Sequence, residues 1–239
     1  MLVPFQYIYL VGSLLFMIPW LILFYIRRDL RAEMIIMGGV MALGVSFSCY
    51  RWCTVDWWHP LTITNTRIGI EDFICGFAIG GIAAALYEEI FKRHHRKNRN
   101  RKVEHDHPII FFSIIALFLL STEFFFSYLG LTSFIASTLA EALIIILLIA
   151  RHRVPLMQAL ASGVATAFIS MPVYWTMNFL SPGWIDATYY FDTLSKIRFI
   201  TIPIEELIFY FMMGMLFGPL YDYWKGYRHF QQEKRVQRK

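Results

Sequence analysis

Two pairs of adjacent acidic residues open long apolar stretches of this chain: Glu71 with Asp72, and Glu205 with Glu206. Carboxylates inside membrane spans are costly, so they are functional candidates by default. Desolvation and a like-charged neighbour both favour the neutral form of a carboxyl group. A neutral acid in an apolar cavity can protonate a weak base, even an alkene, and a second carboxyl group can then remove a proton. The competing interpretation is structural, because the helix macrodipole favours acids at a helix N-terminus.

These acid pairs belong to an internal repeat. With an offset of 134, residues 70–91 (IEDFICGFAIGGIAAALYEEIF) align with residues 204–225 (IEELIFYFMMGMLFGPLYDYWK), and the two acid pairs coincide. Two membrane helices share scattered apolar identities by chance, but rarely two adjacent acids at one matched position. The recurrence therefore favours a functional role over the structural one.

Four other residues are predicted to contact a substrate. An offset of 124 pairs Tyr50 with Tyr174, near the outer ends of their stretches, and Phe209 follows the second acid pair. Aromatic faces of this kind attract cations through the ring quadrupole. Glu141 stands in the middle of an apolar stretch and has no acidic counterpart in the other repeat. The alternatives are an interfacial aromatic belt for the rings and a polar neighbour for Glu141.

Membrane helices are needed to position these residues. Hydrophobic residues make up 57% of the 239-residue chain and charged residues 16%, which argues against a soluble domain and against disorder. A hydrocarbon core about 30 Å thick needs about 20 mostly apolar helical residues. Seven stretches qualify: 4–26, 33–50, 68–91, 108–128, 131–150, 154–178 and 198–224. The sequence thus predicts an all-α integral membrane protein with seven transmembrane helices.

The basic residues predict its orientation. Of the 22 lysines and arginines, 18 lie in residues 27–32, 92–107 and 151–153 and in the tail from Lys225. The cytoplasmic loops of membrane proteins carry an excess of lysine and arginine. We therefore expect a multi-pass protein of the cell membrane, with its N-terminus outside and its C-terminus in the cytoplasm.

The same distribution of lysines and arginines predicts how the two repeats are arranged. The third and seventh spans both run from outside to inside, so the two three-helix repeats are parallel and the fourth span connects them. A site shared by such repeats lies between them. The predicted boundaries are 1–92 for the first repeat, 93–130 for the basic loop and connecting span, and 131–239 for the second repeat with its basic tail.

The basic segment 92–107, with histidines at 94, 95, 105 and 107, could be read as a nucleic-acid or metal site. A solvated loop that meets anionic lipid headgroups is the better interpretation. Three cysteines cannot form a disulfide framework, and no Cys/His spacing is typical of zinc. We therefore predict membrane lipid as a partner, and neither nucleic acid nor a metal.

The stretch 202–211 (IPIEELIFYF) resembles the Pro-x-Glu-(Glu/Asp) signature of the heterodimeric-type lycopene cyclases of bacteria, archaea and fungi. These are membrane proteins built from two small three-helix subunits or from their fusion. The N-terminal stretch 7–10, with Pro19 after it, is similar to the start of that domain. The first repeat has Gly69 where proline is usual. The family's outer-loop pattern is partly matched by Trp52, Asp56 and Trp57.

The resemblance implies a redox-neutral cyclisation of a lipophilic substrate, a linear carotenoid such as lycopene, to β-ionone rings. An acid protonates the terminal double bond, the cation closes onto the neighbouring double bond, and a ring proton is lost. The resemblance implies no cofactor, and the sequence has no Gly-rich dinucleotide fingerprint. It also makes Glu205 and Glu71 the leading acid/base residues, with Glu206 and Asp72 tuning or replacing them.

Two other classes of membrane protein stay open as alternatives. An intramembrane prenyltransferase would use acidic pairs to hold magnesium and diphosphate, although such enzymes resemble longer Asp-rich motifs than this chain has. A proton-coupled transporter would use intramembrane acids as relays. A retinal-binding receptor is disfavoured, because Lys196 and Lys225 lie at or beyond the ends of the seventh span.

Overall fold

The computed structural model describes residues 2–90, 108–150 and 156–225, and these are mostly helical. The helices are α1 (Phe5–Ile26), α2 (Arg31–Ser48), α3 (Thr54–Asp56), α4 (Ile70–Ile90), α5 (Pro108–Glu123), α6 (Ser133–Ala150), α7 (Leu156–Leu180), α8 (Trp184–Thr188) and α9 (Ile204–Lys225). Strands β1 (Arg198–Phe199) and β2 (Ile202–Pro203) form an antiparallel hairpin. Two π-helical segments, Cys49–Cys53 and Phe124–Tyr128, extend α2 and α5. The prediction of a helical protein is confirmed.

Six helical segments among the described residues are long and apolar enough to cross a membrane. They are Phe5–Ile26, Arg31–Asp56, Pro108–Tyr128, Ser133–Ala150, Leu156–Leu180 and Ile204–Lys225. The predicted third span is a 21-residue helix, α4, which carries two acids near each end and is not among the six. The chain thus has the helices of a membrane protein, and the count of seven spans stays a prediction.

The helices pack in two groups that meet at α4 and α9. Helix α4 lies along α2 and α1, and α9 lies along α7. The groups join where α4 contacts α9 and α7 and where α1 contacts α7, while α5 rests on α6. The parallel repeats and their boundaries stay a prediction, but this packing brings the N-terminal ends of α4 and α9, with their acids, into one region.

A glycine that recurs between the repeats allows each helix pair to pack closely. A Cβ atom at Gly80 of α4 would lie 2.6 Å from the Met37 carbonyl oxygen of α2. A Cβ atom at Gly214 of α9 would lie 2.5 Å from the Ser162 carbonyl oxygen of α7. Small residues at such crossings let membrane helices touch through their backbones.

The last predicted span begins later than the apolar pattern indicated. Residues 198–203 form the hairpin, with Arg198 opposite Pro203 and Phe199 opposite Ile202, and the helix begins at Ile204. Pro203 has no N–H and a fixed φ, which suits the entry to a helix rather than its interior. The hairpin places the second acid pair in the first turn of α9.

The basic segments that predicted the orientation lie largely outside the described residues. These are residues 92–107 with their four histidines, the turn 151–153 and the tail beyond Lys225. The orientation of the termini therefore stays a prediction.

Candidate active site

All four predicted acids are buried in the first turns of α4 and α9. Glu71 is 0% exposed, Asp72 1%, Glu205 2% and Glu206 5%. Carboxyl groups are almost never buried to this degree without specific partners. Their hydrogen bonds therefore indicate what each acid does.

The first acid of each pair binds the loop before its helix. Glu71 Oε1 accepts a hydrogen bond from the Ile63 backbone N–H (2.5 Å), and Glu205 Oε1 accepts one from the Ser195 N–H (2.7 Å). Within the described residues, the Oε2 atoms of both acids have no hydrogen-bond partner. Glu71 and Glu205 thus hold the loops before α4 and α9 in equivalent ways.

The second acid of each pair binds a tyrosine. Asp72 Oδ1 accepts from the Tyr9 hydroxyl at 2.8 Å, and its Oδ2 accepts from the Gly69 N–H at 2.8 Å. Glu206 Oε2 accepts from the Tyr174 hydroxyl at 2.6 Å. The two acids therefore receive similar donors, but from different helices: α1 in the first half and α7 in the second.

A third tyrosine extends the network on Glu206. The Tyr189 hydroxyl, in the loop after α8, lies 3.0 Å from the Tyr174 hydroxyl. Burial raises the pKa of Tyr189 well above its usual value, so its hydroxyl stays neutral. A neutral hydroxyl can both donate and accept, which fits a chain of hydrogen bonds that ends on Glu206.

An apolar cavity of about 420 Å³ lies between the two helix groups. Glu206 borders it directly, and so do Tyr9 and Tyr174. Glu71, Asp72 and Glu205 are not among the lining residues. Within the described residues, Glu206 is therefore the acid in direct contact with this cavity, and Asp72 reaches it through Tyr9.

Aromatic residues line the same cavity as Glu206. Phe209 and Tyr210 of α9 have ring centroids 5.3 Å apart, and Trp57 lies 5.4 Å from Phe209. Tyr210 also contacts Phe16 (5.5 Å) and Tyr174 (5.9 Å). The negative faces of such rings stabilise a cation in a dry site.

The loops before α4 and α9 pair with each other beside the acid pairs. Trp58 forms an antiparallel bridge with Tyr189, and their rings are stacked 6.3 Å apart. The His59 N–H donates to the Thr188 carbonyl (2.8 Å), and the Tyr190 N–H donates to the Trp57 carbonyl (3.0 Å). Because Glu71 and Glu205 hold the same two loops, the acid pairs and the loop closure form one unit.

The structure does not bring two of the predicted contact residues to the cavity. Tyr50 is 56% exposed, and the Arg67 guanidinium lies 5.6 Å from its ring centroid. Glu141 is buried in α6, and within the described residues its Oε1 has no hydrogen-bond partner. Neither residue lines the cavity, whereas Tyr174 and Phe209 do.

Sequence reasoning missed Tyr9, Tyr189 and Tyr210 as site residues. The repeat could not reveal Tyr9, because the position 124 residues later is Ser133. The available signal was composition: a tyrosine within an apolar span needs a partner for its hydroxyl, and Asp72 is that partner for Tyr9. Among the described residues, no group of three His, Cys, Asp or Glu could hold a metal ion.

The comparisons with known proteins show the family to which the chain belongs. No curated protein and no solved structure matches the chain. The family model described as lycopene cyclase matches residues 6–90 and 131–224, one range in each predicted repeat. These ranges cover more than half of the chain and include the four acids, Tyr9 and Tyr174, and the chain therefore belongs to the lycopene cyclase family.

Proposed function

We propose that this chain is a membrane-integral lycopene β-cyclase that closes β-ionone rings on linear carotenoid end groups without a cofactor. The main observation in support of this proposal is the position of Glu206. Its carboxyl group is buried and borders an apolar cavity between the helix groups, which aromatic residues also line. Protonation of an alkene needs such a site, in which a neutral acid meets a hydrocarbon away from water.

The hydrogen bonds of the two second acids support different roles for them. Asp72 accepts a bond on each oxygen, from Tyr9 and from the Gly69 N–H, and hydrogen bonds of this kind favour a carboxylate. At the position equivalent to Gly69, the second half has Pro203, which has no N–H to donate. Glu206 lacks that backbone donor, although Tyr174 donates to it. Because Glu206 also borders the cavity directly and Asp72 does not, we assign Glu206 as the proton donor and the Asp72–Tyr9 pair as the proton acceptor.

The reaction then proceeds in three balanced steps. Glu206 gives its proton to the terminal double bond and becomes a carboxylate, leaving a tertiary cation on the end group. The π electrons of the neighbouring double bond form the ring bond and move the cation into the ring. A ring C–H proton passes to the Tyr9 oxygen while Tyr9 gives its own proton to Asp72, and the C–H electrons form the ring double bond. The product is an isomer of the substrate, and the starting state is restored when Asp72 releases a proton to solvent and Glu206 takes one up from solvent.

The aromatic residues stabilise the cation between the first and last steps. Phe209, Tyr210 and Trp57 line the cavity beside Glu206. A cation over such a ring gains about 0.5–2 kcal/mol, with the larger values for desolvated sites. Water must also be excluded, because it would trap the cation as an alcohol. The paired loops before α4 and α9 exclude water from the cavity.

The proposal includes the location of the protein. The six apolar helices support insertion in the cell membrane, and the basic segments support an outer N-terminus and a cytoplasmic C-terminus. With this orientation the acids lie in the outer half of the bilayer. The carotenoid is then the substrate partner, and membrane lipid surrounds it.

Expression of the full chain in bacteria that accumulate lycopene tests the proposal. We expect monocyclic or bicyclic β-ring products on chromatography, with masses equal to that of lycopene. When isolated membranes that contain the protein convert preformed lycopene in heavy water, the product should carry one deuterium for each ring formed, because the proton donor exchanges with solvent. Unchanged lycopene in cells whose membranes contain the protein would refute the proposal.

A further inference from the structure

The cavity wall between α2 and α5 is open to the outside of the molecule. Leu43 and Phe47 of α2 and Phe112 of α5 all line the cavity, yet they are 67%, 46% and 64% exposed. In contrast, Phe16 and Tyr174 line the same cavity and are buried. The cavity therefore reaches the molecular surface along α2 and α5.

The packing of the two helices explains this gap. Helix α2 packs mainly against α4, and α5 packs mainly against α6, so the two form facing walls without extensive contact with each other. Apart from Glu206, the lining residues carry no charged side chains. Apolar side chains at such a gap face lipid rather than water in a membrane.

A polar contact bounds the opening at its outer end. Arg51 Nη2 donates to Glu123 Oε1 at 2.5 Å, and Trp52 Nε1 donates to Glu123 Oε2 at 2.8 Å. Arg51 and Trp52 belong to the π-helical extension of α2, and Glu123 ends α5. The opening between α2 and α5 thus ends at this polar contact.

We infer that the opening between α2 and α5 is the lateral entrance through which the polyene chain of the substrate extends into the membrane while its end group meets Glu206. This inference rests on the proposed function. A linear carotenoid is about as long as the hydrocarbon core is thick, about 30 Å, so a cavity of about 420 Å³ encloses only its end. The remaining polyene must leave the cavity through an apolar opening, and this opening meets that need.

Two glycines of α2 provide a matched test. Gly44 lines the cavity, and Gly39 does not. A Cβ atom at either glycine would meet nothing within 4 Å, so larger side chains fit at both positions without disturbing the packing. On a helix the two positions point about 140° apart, so only a residue at position 44 projects into the opening.

The first experiment compares Gly44→Trp with Gly39→Trp in bacteria that accumulate lycopene, with membrane levels of each variant measured. We expect Gly44→Trp to reduce ring formation about tenfold or more, since misplacement of a substrate costs this much, and Gly39→Trp to retain it. A Gly44→Phe variant should be intermediate. Equal activity of the two tryptophan variants, or equal losses, would overturn the inference.

A second measurement reports occupancy without turnover. In a Glu206→Gln background, lycopene should slow the labelling of Gly44→Cys by a membrane-permeant maleimide and leave the labelling of Gly39→Cys unchanged. Protection without ring formation by the wild-type chain would uphold the entrance and refute the proposed reaction. Ring formation by the wild-type chain without protection would refute the entrance alone.

Discussion

In the structure the two acids of each pair have different contacts. The contacts of Glu205 and Glu206 lead to the most specific prediction. We expect Glu206→Gln to reduce ring formation about 10²–10⁴-fold, the usual contribution of general acid catalysis. That range corresponds to about 2.7–5.4 kcal/mol at 1.36 kcal/mol for each factor of ten. Glutamine has the size of glutamate, and its carbonyl can still accept from Tyr174, whose hydroxyl lies 2.6 Å from Glu206. The fold should therefore be retained while the transferable proton is lost.

The matched control is Glu205→Gln. A glutamine carbonyl at position 205 can still accept the Ser195 N–H bond, which is 2.7 Å long with Glu205. We therefore expect a loss of less than about tenfold, the cost of a modest change in one hydrogen bond. Glu205→Ala should instead lower thermal stability, because it leaves the Ser195 N–H without its acceptor.

The assay for both variants is the ratio of cyclised to linear carotenoid on chromatography, divided by the amount of each variant in the membrane fraction. The reverse order of effects, an inactive Glu205→Gln and an active Glu206→Gln, would refute the assignment. It would instead favour the first acids, Glu205 and Glu71, which the family signature places in the leading role.

Three further predictions follow. Tyr174→Phe should reduce ring formation about 10–100-fold, as expected for a hydrogen bond to a charged group, and Tyr189→Phe should reduce it less; product ratios measure both. Gly69→Pro should reduce activity and thermal stability, since it removes the N–H donor to Asp72 and adds a Cβ atom that collides with Glu71 Oε2 and the Thr62 side chain; a variant as stable and active as wild type would contradict this. Glu123→Gln should lower stability by about 0.2–1 kcal/mol, the range for exposed ion pairs; a melting temperature unchanged in detergent would contradict it.

Much of the helical layout could be predicted from the sequence. A run of about 20 apolar residues has few alternatives to a helix in a membrane. Four of the predicted spans therefore match described apolar helices to within two residues at each end, and the second predicted span ends six residues before its helix does. The last span was placed six residues too early, because the hairpin residues Phe199 to Ile202 are as apolar as the helix that follows. Pro203 was the local signal for the true start.

The burial of the acids could be predicted, but not which acid faces the cavity. Adjacent helical residues point about 100° apart, so a pair of acids always has one member on each of two faces. Which acid of a pair faces the cavity depends on the rotation of α4 or α9 about its own axis. That rotation is set by the packing of α4 against α2 and of α9 against α7. The bond from the Tyr9 hydroxyl to Asp72 joins residues that are 63 positions apart in the sequence.

A reaction that adds one proton and removes another needs two unlike groups, whereas a duplicated domain begins with two like ones. Here the loop bonds of Glu71 and Glu205 remain equivalent, and the differences lie around the second acids. Gly69 gives Asp72 a backbone donor that Pro203 cannot give Glu206. Glu206 borders the cavity, while Asp72 reaches it through Tyr9. Under the proposed function, the glycine that departs from the family signature is what makes the two halves complementary.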